Sequence, residues 1–95
     1  MVISVYQSET NSYEDMTVIA LVRYVGESFG VDSLTNGKIY SVVGVDGTDM
    51  IRVVDDSEED YLYEIINPAP LDGSSEGGKW EIIKDYTGEL STYLK

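Results

Sequence analysis

Short runs of β-branched and aromatic residues, each closed by turn chemistry, dominate this chain and leave few folds open to it. Residues 17–25 (TVIALVRYV) end at Gly26, and residues 38–45 (KIYSVVGV) run into Asp46-Gly47. Residues 50–54, 61–66 and 80–84 repeat the pattern. Val, Ile, Tyr and Trp suit a pleated, half-buried surface, while Gly, Asn, Asp and Pro supply the backbone angles between strands. Asn36-Gly37 marks a turn, because both residues tolerate positive φ. The runs flanking Asp46-Gly47 carry the strongest hairpin signal, and a second hairpin follows across the acidic residues 55–60. Gly44, inside a run, marks a bulge or a tight bend.

Between these runs the chain reads differently. Residues 27–37 are small and polar, with Phe29, Val31 and Leu34 as inward anchors. Residues 67–78, with two prolines and three glycines, read as a long flexible loop. After Asp85 one helical turn through Leu90 and Leu94 fits the spacing, although Gly88 weakens it. At the other end, residues 1–7 suit an edge strand and residues 8–16 a connection, so residues 1–16 are expected to form an extension or edge strand and residues 17–95 one β domain. Ninety-five residues hold one small core. Five short strands with small turns point to an all-β barrel, whose closure hides apolar edges such as 18–25.

Composition removes whole classes of chemistry. The chain has no Cys and no His, so thiolate nucleophiles, disulfides, His-based triads and the common zinc sites are excluded. We expect no enzyme, no catalytic residue and no cofactor. Lys and Arg number 6 against 18 Asp and Glu, a net charge of −12, and cations such as Lys38, Arg52, Lys79 and Lys84 stand singly. Such a surface repels nucleic-acid phosphate and anionic membrane, leaving a monomeric, cytoplasmic protein as the expectation. Self-repulsion also subtracts from stability, so added salt should raise the melting temperature by screening. A flat or falling salt response in a thermal scan would count against that.

Several segments resemble one group of proteins. Residues 22–30 (VRYVGESFG), 34–40 (LTNGKIY), 54–57 (VDDS), 60–63 (DYLY) and 78–82 (GKWEI) are similar to the small uncharacterised SH3-like proteins of Gram-positive bacteria and their mobile elements. The likeness covers residues 22–84 and implies an SH3-like, partly open barrel of five to six strands, with no activity attached. In that group the acidic turn carries a Gly near Glu58 or Glu59, which this chain lacks.

Two features are candidates for binding. With Leu62 pointing inward, alternation sends Tyr61 and Tyr63 to the opposite face, where the resemblance to SH3 domains places a peptide groove. The competing reading packs both rings under the 68–78 loop or against the N-terminal extension. Tyr40 and Trp80 are expected in the core. The acids Asp55, Asp56, Glu58 and Glu59 either steer a basic partner or form a solvated turn that discourages edge pairing. No calcium-loop template fits: counted from Asp55 the closing position is Ile66, and counted from Asp72 it is Ile83, so no metal site is expected. The leading expectation is a non-catalytic module binding a protein or peptide with basic residues through Tyr61, Tyr63, Asp55, Asp56, Glu58 and Glu59. An acidic DNA mimic filling a basic protein groove, and a structural accessory domain without a site, are the alternatives.

Overall fold

A computed structural model describes residues 1–30, 33–47, 49–69, 73 and 75–93. The strands in chain order are β1 (Val2–Gln7), β2 (Ser12–Thr17), β3 (Ala20–Gly26), β4 (Ile39–Asp46), β5 (Met50–Val54), β6 (Asp60–Glu64) and β7 (Gly78–Asp85), followed by one short helix, α1 (Glu89–Tyr93). Alternation sets their faces: Ala20, Val22 and Tyr24 of β3, Tyr40 and Val42 of β4, and Ile51 and Val53 of β5 are buried, each separated by an outward residue. Tyr63, Ile65, Trp80 and Leu90 complete the same core. Each such side chain contributes about 1.5–3 kcal/mol on burial.

The five-stranded sheet has the order β6-β5-β4-β3-β7, antiparallel throughout. Strands β3 to β6 form a meander, and β7 returns to the free side of β3. The ends β6 and β7 do not pair, so the sheet curls into a small, partly open all-β barrel with a seam between them. Trp80 spans that seam, its Nε1–H donating to the Glu64 carbonyl at 3.0 Å. Curling is helped by a register shift between Val42 and Gly44, the bulge that Gly44 signalled. A second shift between Leu21 and Val22 gave no sequence signal.

The N-terminal residues depart from expectation. Residues 8–16 are no mere connection: β2 pairs with β1 from Val2↔Thr17 to Gln7↔Ser12, and the two make a separate sheet rather than an edge of the barrel. The sequence of β2, SYEDMT, is too polar to read as a strand alone, and pairing with β1 supplies its structure. Polar bonds seat the hairpin's tip on the barrel: Gln7 Nε2 donates to Asp60 Oδ1 and the Ser8 N–H to Glu59 Oε1, both at 2.9 Å.

Residues 27–37 form a pinned excursion. Phe29 and Leu34 bridge one another and are buried, as expected, while Val31 lies outside the described residues. The loop at 67–78 is less free than its composition suggests, since Pro68 and Gly77 are buried and Glu27 N–H donates to the Gly77 carbonyl at 3.0 Å. Here two backbones touch: a Cβ on Gly26 would stand 2.5 Å from Gly77 O and Gly78 Cα. The C-terminal helix forms with Leu90 buried, and Asp85 caps it, accepting from the Gly88 and Ser91 N–H groups at 2.9 and 2.8 Å. Leu94 lies outside the described residues.

Glu58 sits at φ 69°, in the left-handed region that disfavours a residue with a side chain. Glu58→Gly should therefore stabilise the fold by about 0.5–1 kcal/mol, the left-handed penalty outweighing the glycine's extra unfolded freedom. Urea denaturation measures it, and a destabilised variant would contradict the assignment of strain to Glu58.

Candidate functional site

The barrel interior is built on rings. Trp80 meets Tyr24, Tyr40 and Tyr63 edge-on at centroid distances of 5.7, 6.3 and 6.2 Å, and Phe29 adds contacts to Tyr24 and Tyr63. Tyr40 and Trp80 are core residues, as expected. Tyr63 belongs with them, and this corrects the orientation expected of β6. Leu62 is 39% exposed and Tyr63 only 9%. The cause is register: Tyr63 pairs with Ile51 and Tyr61 with Val53, so the tyrosines share the face on which β5 buries its side chains. Burying a phenol requires a partner for its hydroxyl, and Asp55 provides it at 2.7 Å.

Asp55 is the centre of the acidic turn. Its Oδ2 accepts from Tyr63 and its Oδ1 from both the N–H and Oγ of Ser57, at 3.0 and 2.5 Å. Its oxygens are thus taken, and it is itself buried, which removes it from the list of groups free to meet a partner. Asp56 is similarly engaged, bonding Lys38 Nζ at 2.6 Å, Tyr40 OH at 2.9 Å and Thr35 Oγ1 at 2.8 Å. Partial burial pushes the Asp56 carboxyl up, but the bonds from Lys38, Thr35 and Tyr40 outweigh it and hold the group below the usual range. Both acids bind their own fold. Among the described residues no buried side-chain polar atom lacks a partner.

Beside this turn, along β6, lies an open groove of about 900 Å³. It is lined by the buried rings Phe29 and Tyr63 and by Met50, by Tyr61, Leu62 and Glu64 of β6, by Asn67 and Ala69 beyond it, and by Asp55, Ser57 and Glu59 of the turn together with Ser33. Of the six residues singled out by sequence, the groove gathers Tyr61, Tyr63, Asp55 and Glu59. Asp56 and Glu58 do not line it. Tyr61 is 48% exposed, although it shares a face with the buried Tyr63. Its hydroxyl is raised above the usual phenol range by the charge of neighbouring Glu59. Glu59 in turn lies low because the Ser8 N–H bonds it. Asp60 is pushed up by burial, yet the bonds from Gln7 and Arg52 bring it below the normal carboxylate range.

Sequence reasoning missed Met50, Asn67 and Ala69. For Met50 a signal existed, since the register of a hairpin through the acidic turn sets it opposite Glu64. Asn67 and Ala69 gave none, because only the fold brings the start of the loop back beside β6. Among the described residues no cluster of three or more Asp or Glu has the arrangement to hold a metal ion, and no helix is long and apolar enough to cross a membrane. Comparison with protein-family models, curated proteins and solved structures finds no match.

Proposed function

We propose that this chain is a non-catalytic, SH3-like interaction module of a bacterial cytoplasm, binding a protein or peptide segment that carries Lys or Arg. One observation carries the reading. An open groove lined in part by buried rings offers the half-exposed Tyr61 ring beside Glu59, with Glu64 also lining it. A ring gives rigid contact area and cation–π attraction, and a −12 surface steers cations towards it. The DNA-mimic alternative needs one ridge of carboxylates. The acids instead are distributed over both sheets, the turns and α1, among them Asp15, Glu27, Asp49, Glu64, Glu81 and Glu89, and this favours the module.

The test is an array of extended peptides with and without Lys and Arg, probed at low and high salt. Basic peptides should bind and be released by salt. Tyr61→Ala should weaken that binding roughly tenfold or more, as central aromatic contacts do, with little change in melting temperature. Unchanged binding would remove Tyr61 from the site, and a variant that unfolds would return the ring to the core.

A further inference from the structure

We infer that the groove binds its basic segment by strand addition, the segment pairing with the free edge of β6; this rests on the function proposed above. Two backbone bonds fix which groups of β6 face that edge. Asp55 N–H donates to the Glu59 carbonyl at 3.2 Å, and Ile65 N–H to the Asp49 carbonyl at 2.9 Å. Between those pairs the ladder alternates, so Tyr63 exchanges bonds with Ile51 and Tyr61 with Val53. Leu62 N–H, Leu62 C=O and Glu64 N–H therefore point away from β5, where the sheet has no further strand among the described residues. The Glu64 carbonyl points there too and is taken by Trp80 Nε1–H, which closes one end of the edge.

The groove is placed to use those groups. Consecutive residues Tyr61, Leu62, Tyr63 and Glu64 all line it, although their side chains alternate between two faces. A groove touched by both faces of one strand runs along its edge. An extended peptide seated there meets the Leu62 and Glu64 main chain of the edge and also Asn67 and Ala69, which line the same groove. Main-chain bonds supply affinity in such pairing, and alternate side chains supply specificity.

Charge selects the occupant. Glu59 lies on the Tyr61 face and Glu64 on the Leu62 face, so both sides of an added strand find a carboxylate. The nearby cation Arg52 is already bonded to Asp60 at 2.9 Å. A second copy of the chain pairing β6 with β6 would bring Glu59, Asp60 and Glu64 against their own kind, at −12 per molecule, and like charges across a ladder destabilise it. A foreign segment alternating Lys or Arg with apolar residues fits instead, its cations on the face of one of these carboxylates and its apolar side chains on the other.

The probe is an acetylated heptapeptide alternating Lys and Val, compared with the same peptide N-methylated at every interior amide, which keeps charge and loses its donors. NMR titration of the full chain should show the Leu62 and Glu64 amide protons moving downfield and exchanging more slowly. The N-methylated peptide should bind at least tenfold more weakly. Leu62→Pro should cost as much, since it deletes an edge donor that the sheet does not use. If that variant fails to fold, the peptide comparison decides. Equal binding of both peptides overturns strand addition while leaving the basic-segment reading intact, and binding of neither at millimolar concentration overturns both.

Discussion

Trp80→Ala is expected to leave the chain largely unfolded at 25 °C. The indole is buried where β7 closes the barrel, edge-on to Tyr24, Tyr40 and Tyr63. Truncating a buried Trp costs about 3–5 kcal/mol through lost transfer and the cavity left behind. Aromatic pairing adds roughly 0.5–1.5 kcal/mol for each pair lost, and the bond to the Glu64 carbonyl about 1 kcal/mol more. Small domains have total stabilities of about 5–15 kcal/mol, and a short, highly charged chain lies towards the lower end. The loss thus matches the whole. Loss of proton chemical-shift dispersion is the readout. Trp80→Phe, which keeps most of the apolar volume and drops the seam bond, should stay folded with a lower urea midpoint. A Trp80→Ala protein with a near wild-type midpoint would show that the ring cluster does not hold the barrel together.

The second large effect is alkaline unfolding. Burial, then the Asp55 carboxylate beside it, pushes the Tyr63 hydroxyl far above the ordinary phenol value of 10.0. Burial also raises Tyr24, helped by Glu27, and raises Tyr40 despite the bond from the Thr35 N–H. Unfolded tyrosines ionise near pH 10, whereas in the native state these three hold their protons more tightly, Tyr63 most of all. Above that pH the unfolded chain binds fewer protons, so stability present below pH 10 is lost as pH rises. The slope is about 1.4 kcal/mol per pH unit for Tyr63, and Tyr24 and Tyr40 add to it in the same direction. Stability should fall steadily above pH 10, and where the protein unfolds, tyrosinate absorbance should appear in the same step as loss of structure. Tyr63→Phe should be less stable at neutral pH, because Asp55 Oδ2 loses its partner, yet decline less steeply above pH 10. Tyrosinate forming gradually in a folded protein would contradict the burial of these rings.

Much of the barrel was legible because its signals are local. A Gly-closed apolar run, Asp46-Gly47 and Gly44 each dictate backbone shape within a few residues, and β3, the β4–β5 hairpin and its bulge followed. Orientation on β6 was not legible. Tyr61-Leu62-Tyr63 alternates correctly under either register, and an isolated reading prefers Leu inside. The deciding fact is a hydroxyl partner eight residues upstream, Asp55, which makes burial of Tyr63 the cheaper arrangement. The β1–β2 hairpin was hidden for a related reason: SYEDMT has no apolar alternation, and its strand exists through pairing with β1 and bonds from its tip to Asp60 and Glu59. The acids were visible as a cluster, but their division into Asp55 and Asp56 bonded within the barrel, Glu59 bonded to the Ser8 N–H and Glu58 exposed depends on three-dimensional neighbours.

The contact of Gly26 with Gly77 and Gly78 bears on how tolerance to substitution should be read in this molecule. In a survey of all single replacements scored only for survival, Gly26 and Gly78 would appear as intolerant as Val22 or Val53, even against alanine. Neither position owes that intolerance to a ligand. Main chain there occupies the volume a methyl group would need, so a map of forbidden changes drawn on the surface would mark the β3–β7 junction as well as any recognition face.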